Sequence, residues 1–252
     1  MELSEKYIDK LDWRKNERGY ADGYLKLKIP SVSTVLGTIP DPEFDQWKID
    51  MGDKADAILE AAGHRGTAMH CFLEHFCKEM TVCKDKNIAI KKCLDISFKT
   101  LNEENIPLDK INKGRNMFYN FFYSEYPERF TNVIASELKL YSPTYLYRGA
   151  LDIAYNYNGL VISDFKSASS YLKPGTVKEQ KYKTQLGAYA LMVEDMSKKT
   201  KIDKSSIICL STNSENIQEI CIEKEELEYY KEEFKKLVFN WHRDTNQEFL
   251  FL

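Results

Sequence analysis

Residues Tyr145–Lys166 read YLYRGALDIAYNYNGLVISDFK, and two β-strands joined by a tight turn are written into them. Tyr145–Tyr157 is rich in Tyr, Leu and Ile, the composition of a strand, and Leu160–Lys166 is a short apolar run with a loop behind it. Asn156-Tyr157-Asn158-Gly159 supplies turn residues between them, so the pair is expected to form a hairpin. Strand side chains alternate, which puts Asp164 and Lys166 on one face and Val161 and Phe165 on the other. Pairing the two runs brings Asp152 near Asp164. Adjacent carboxylates repel unless a cation joins them, and hard oxygen donors suit Mg²⁺ or Mn²⁺. A lysine two positions on is placed to orient a water. Taken singly, each piece has an ordinary reading: Asp/Lys pairs at strand ends are mostly solvated charges, and Gln185 with Tyr189 at i, i+4 is mostly a plain helix face.

Working outward, the N-terminal half reads as helical. A short strand is expected at Tyr24–Ile29, then Ser31 as a helix N-cap after Pro30. Short helices follow at Glu43–Met51 and Asp53–Ala62, separated by Gly52. A stronger one covers Arg65–Met80, with Met69, Phe72, Leu73 and Phe76 on its apolar face. Lys86–Glu104 and Asp109–Tyr126 complete the half, the last closed by Pro127. Strands are expected near Asn132–Tyr141, Tyr145–Tyr157 and Leu160–Lys166, a helix at Val177–Met196, strands at Ser206–Ser211 and Ile217–Ile222, and a long helix from Glu223 to His242. The second half thus has the order αβββαββα. The fold class is α/β (α+β): a mixed central β-sheet flanked by helices, with residues 1–130 a helical region packed on a core at 131–252. The loop Ser167–Gly175 is placed to move over the site.

Composition narrows the class. At 252 residues, 43% hydrophobic and 30% charged, the chain is globular, and no apolar stretch approaches the roughly 20 residues that span a bilayer. The charged opening MELSEKYIDKLDWRKNERGY does not read as a secretory signal. Six cysteines without a C-x-x-C pair read as buried free thiols of a reducing compartment. A net charge of −3 argues against a broad basic surface coating duplex DNA. A local basic run does exist, with Lys166, Lys173, Lys178, Lys181 and Lys183 against a single Glu179, while Glu225, Glu226, Glu228, Glu232 and Glu233 crowd the last helix. A basic patch beside the carboxylates is where a phosphate backbone needs one.

With these elements placed, the chain resembles the PD-(D/E)XK nuclease superfamily, in its RecB-like exonuclease branch. The resemblance rests on Gly66-Thr67-Ala68-Met69-His70 on a helix, Gly149–Asp152, Asp164–Lys166 and Gln185–Tyr189. Pro30–Leu36 with Trp47-Lys48 is similar to the opening of the mitochondrial genome maintenance exonucleases and their phage relatives. It implies a restriction-endonuclease-like core and a metal site of His70, Asp152, Asp164 and the Phe165 backbone carbonyl. Lys166 would position water, Gln185 would hold Lys166 or a phosphate, and Tyr189 would stack on a base or sugar. Lys173, Lys178 and Lys181 would contact DNA, and Glu137 would stand behind the ligands. Glu74, one turn beyond His70, reads as a solvated carboxylate, and His64, His75 and His242 receive no role. The C-terminal cysteine cluster of iron–sulfur relatives is missing, so Mg²⁺ or Mn²⁺ is the expected cofactor and no iron–sulfur cluster is expected.

The implied activity is a metal-dependent DNA exonuclease that prefers single strands with a free end. It would serve replication, recombination or repair in a bacterial or phage-infected cytoplasm, with replication or recombination proteins as partners and no membrane. Three rivals remain: a duplex-specific endonuclease, a non-catalytic nucleic-acid-binding accessory on a nuclease fold, and a structural subunit that needs a helicase partner. Of the aromatics Phe118, Tyr119, Phe121, Phe122 and Tyr123, most are expected in the core and one or two as stacking platforms.

Overall fold

A computed structural model describes residues 29–197 and 199–245. The strand expected at Tyr24–Ile29 lies, apart from Ile29, outside the described residues. The chain runs α1 (Val32–Leu36), α2 (Pro42–Met51), α3 (Lys54–Cys83), α4 (Lys86–Glu103), α5 (Leu108–Tyr123), α6 (Tyr126–Arg129), β1 (Val133–Ser142), β2 (Tyr147–Asn156), β3 (Leu160–Ala168), α7 (Val177–Met196), β4 (Lys204–Ser211), β5 (Ile217–Glu223) and α8 (Lys224–Asp244). The five strands form one sheet in sequence order. Neighbours are antiparallel except β3 and β4, which run parallel because α7 carries the chain back across the sheet. The expected hairpin is there: Asn158 and Gly159 take positive φ between β2 and β3, and Asn156 Oδ1 accepts from Gly159 N–H.

Each face of the sheet buries a core. Ile162, Ile207, Cys209 and Ile222 pack with Leu186, Met192, Phe234 and Val238 of α7 and α8. On the other face Ile153, Tyr155, Phe165 and Ile208 pack with Phe72, Phe76, Phe118 and Phe121 of α3 and α5. The helical first half is therefore bound to the sheet through shared apolar area, at about 25 cal/mol per Å² removed from water. As expected, Phe118, Phe121 and Phe122 are buried, while Tyr123 is exposed.

Two boundaries depart from the sequence reading. The helices expected at Asp53–Ala62 and Arg65–Met80 are one 30-residue helix, α3. Gly63 costs such a helix about 1 kcal/mol without breaking it. Pro127 does not close α5; α5 ends at Tyr123, and Pro127 sits at the start of α6, where its missing N–H has no intrahelical partner to lose. The loop after β3 is also shorter and better held than expected. Thr212 N–H bonds to Ala168 O (2.9 Å), Asn213 Nδ2 to Ser169 O (3.0 Å), and the Gln218 amide clamps both backbone groups of Leu172 (2.7 and 2.9 Å).

Candidate active site

The site opens where β2 and β3 part. Their ladder stops at Ile153↔Ser163, so Phe165 has no backbone partner on β2. The Asp152 carboxylate takes that place, Oδ2 accepting from Phe165 N–H at 2.7 Å. A strand residue directs N–H and C=O to the same edge, so the Phe165 carbonyl also faces this opening. His70 comes down from α3, its Nδ1 3.5 Å from Asp152 Oδ2. Its approach depends on Gly114 of α5, where a Cβ would stand 2.5 Å from the Ala68 Cβ. On β1, Glu137 falls between the rungs Ser136↔Ile153 and Leu138↔Leu151, level with Asp152.

Lys166 reaches the opening from the α7 face. Its Nζ is 2.6 Å from Asp164 Oδ2, donates to Gln185 Oε1 at 2.9 Å, and stands 4.7 Å from the centre of the Tyr182 ring. Gln185 Nε2 in turn donates to the Tyr189 hydroxyl at 2.8 Å. The Tyr189 ring stays in register because Gly149 leaves room for it: a Cβ there would meet Tyr189 Cε1 at 2.7 Å. The motif residues are thus one connected chain, an ion pair from Asp164 to Lys166 and hydrogen bonds on through Gln185 to Tyr189.

Electrostatics mark the opening. Burial, then the Asp152 charge, pushes the Glu137 carboxyl up to about 8. Burial and the Asp164 charge push Asp152 up to about 6, against the opposing pull of His70 and Lys166. Burial alone would lower Lys166, but the charges of Asp164 and Asp152 hold it above the ordinary lysine value. Acidic groups that resist ionisation side by side are groups in want of a cation. One atom each of His70, Glu137 and Asp152 lie within 4.8 Å of one another, the only such group of three among the described residues. One imidazole and two carboxylates fit a hard divalent ion such as Mg²⁺ or Mn²⁺.

Residues 45–250 match the family model of the PD-(D/E)XK nuclease superfamily. The chain belongs to this superfamily. No curated protein matches it. The fold is similar to the crystal structure of a "Putative exonuclease" from Eubacterium rectale, with TM-score 0.53 and 12% identity over 99% of this chain and 89% of that one. That likeness is one of fold. SSO0001 is a weaker match, at 13% identity over 67% of this chain and 74% of that one, with TM-score 0.30.

Set against the PD-(D/E)XK pattern, the expected residues converge with two changes of place. Glu137, expected behind the ligands, stands among the donors, whereas Asp164 is 2% exposed and turned onto Lys166. The cause is local: Glu137 has φ 49°, a left-handed conformation inside a strand, and the side-chain alternation of β1 resets there. Leu138 and Leu140 face α7 from even positions and Ala135 reaches the same side from an odd one, a break in parity that the sequence itself carries.

Tyr189 is 5% exposed and presents no face to a base; the ring available at this place is the half-buried Tyr182, which no motif signalled. Among the lysines, Lys173 and Lys178 are exposed, but Lys181 pairs with Asp41 (3.4 Å) and Lys183 with Glu179 and Glu226 (3.1 and 2.8 Å). Glu74 pairs with Lys78 on its own helix. Four of the six cysteines are buried, Cys83 partly so, and Cys221 is exposed, against the expectation that all are buried. Among the described residues no helix is long and apolar enough to cross a membrane.

Proposed function

We propose that this chain is a Mg²⁺- or Mn²⁺-dependent deoxyribonuclease of the RecB-like branch, acting as an exonuclease on single strands with a free end. The observation that carries the reading is Lys166, an ammonium fixed by Asp164 and Gln185 beside the His70–Glu137–Asp152 donors. His70, Glu137 and Asp152 would hold the ion, with the Phe165 carbonyl facing the same opening and Asp164 behind it holding Lys166. When bound, it would lower the pKa of a water and neutralise charge on the phosphoryl group. Lys166 donates to the attacking water or to a phosphate oxygen, and Gln185 keeps the ammonium aimed. Asp152, tied to Phe165 N–H, fixes the separation of the parted strands. Work in replication, recombination or repair, in a bacterial or phage-infected cytoplasm, belongs to the same reading.

A time course on end-labelled single-stranded and duplex DNA with each metal tests it. Linear single strands should shorten to small products while closed circular single strands survive. Rapid loss of the circles would replace exonuclease by endonuclease, and no cleavage of any substrate with either metal would leave the non-catalytic accessory.

A further inference from the structure

Beside Lys166 lies a cavity of about 200 Å³ at the C-terminal ends of the parallel strands β3 and β4, the end of a parallel pair where α/β sheets take ligands. Its walls include Ala168, Ser169, Tyr171, Cys209, Ser211 and Asn216. We propose that this cleft is a nucleobase subsite, in which Tyr171 stacks on one unpaired base of the strand whose phosphodiester faces Lys166. The inference rests on the nuclease reading above and adds the recognition of a base.

Position comes first. Cys209 is the direct partner of Lys166 in the β3–β4 ladder, so the cleft begins one strand away from the ammonium. Ala168 and Ser169 follow Lys166 by two and three residues, roughly 7–10 Å along an extended chain. A strand with a phosphate at Lys166 thus has the cleft within reach of a neighbouring base.

Chemistry comes second. No charged side chain lines the cleft, so a phosphate is a poor occupant. What lines it is an aromatic ring 54% exposed, small carbon surfaces, hydroxyls and an amide. That combination suits a flat apolar ring with a polar edge. The walls are also held before any ligand arrives. Asn213 ties Ser169, Gln218 clamps Leu172, and Asn120 Nδ2 bonds to Ser214 O at 3.3 Å. Leu172 is buried, which anchors the loop and leaves the neighbouring Tyr171 outward. A base inside a duplex cannot enter, so the subsite favours single strands without choosing among bases.

Binding of short end-labelled single strands to the Asp164→Asn protein, read by fluorescence anisotropy, tests the proposal without turnover. One nucleotide at a time near the end is made abasic. The expected result is one position where the abasic residue weakens binding roughly 5- to 150-fold, the range of a lost base–aromatic stack. That penalty should vanish when Tyr171→Ala is added and persist with Tyr171→Phe. Equal penalties with and without Tyr171→Ala, or none at any position, overturn the subsite. Cleavage of the intact oligonucleotide by the wild-type protein reads the parent proposal separately. Cutting without a position-specific penalty removes only the subsite, and a Tyr171-dependent penalty without cutting removes only the nuclease reading.

Discussion

Lys166 is gripped from three sides, by the Asp164 carboxylate, the Gln185 amide and the face of Tyr182. A lysine so restrained has given up its rotamer freedom, which a merely solvated charge would keep. Lys166→Ala and Asp164→Asn should each lower turnover on the order of 10²–10⁴-fold, the usual range for a positioned proton-handling group. Both should leave oligonucleotide binding within a few fold, as single-turnover rates beside anisotropy would show. Near wild-type turnover in either would displace the site. Glu137 carries a second expectation. Its carboxyl ionises at about 8 in the folded chain, against 4.5 unperturbed. Its stabilising contribution is therefore complete below about pH 4.5 and lost as pH rises through 8, because over that window the unfolded chain has released a proton that the folded chain still holds. In EDTA, Glu137→Gln should gain on the wild type in Tm as pH rises from 5 to 8, by several degrees at about 2–4 °C per kcal/mol. Saturating Mn²⁺ should reverse the order, since the amide gives the ion no charge to meet. A Tm difference that stays flat with pH in EDTA would mean that Glu137 is ionised without the metal.

At the scale of elements, the motif helix α7 serves both sheet and site. Its inner face meets β2, where the Tyr147 hydroxyl donates to Ala188 O at 2.7 Å, and its outer face meets α8. The contact with α8 runs through Gly187, where a Cβ would stand 2.6 Å from the Tyr230 carbonyl carbon and 2.9 Å from Lys231 N. Backbone cannot step aside as a side chain can. Gly187→Ala should destabilise the chain by about 1–3 kcal/mol, measurable by urea or thermal unfolding. It should also lower activity through Gln185, two residues away. The course of such elements was largely legible beforehand. Strand alternation through Asp164 and Lys166, the Asn-Gly turn and the long period of Val177–Met196 fix the hairpin and the crossover, because those signals are local. What escaped was decided at a distance or by degree. Gly63 and Pro127 are breakers whose cost depends on the packing around them. Glu137, expected behind the ligands, stands among the donors at a left-handed residue that no local signal announces. Lys181 looked like a phosphate contact because its partner, Asp41, lies 140 residues away.

Over the whole molecule, charge is more evenly cancelled than the sequence suggests. The acidic last helix is laced to lysines: Lys231 to Glu194 and Glu228, Lys235 to Glu232, Lys236 to Glu233, and Glu226 back to Lys183 on α7. Of the five lysines from Lys166 to Lys183, Lys166 belongs to the site and Lys181 and Lys183 are engaged, which leaves Lys173 and Lys178 exposed. Counterion release scales with phosphates neutralised, with log K falling by about 0.7 per contact against log salt for a single strand. Two contacts give a slope of about −1.4, and four, with Lys181 and Lys183 freed, would give about −2.8. Binding of the Asp164→Asn protein to a short single strand, titrated from low to moderate salt, should therefore show a slope between about −1 and −2. Lys178→Ala should flatten it by about 0.7, and Lys181→Ala should leave it nearly unchanged. A slope near about −2.8 would show that Lys181 and Lys183 leave their carboxylates for the nucleic acid. So few phosphate contacts on a chain of net charge −3 hold a duplex poorly, because its bases are hidden and its charge is nearly all it offers. On the proposed reading a single strand also offers its bases, and the same balance of charge that weakens duplex binding would leave the substrate to be chosen by whether its bases are free.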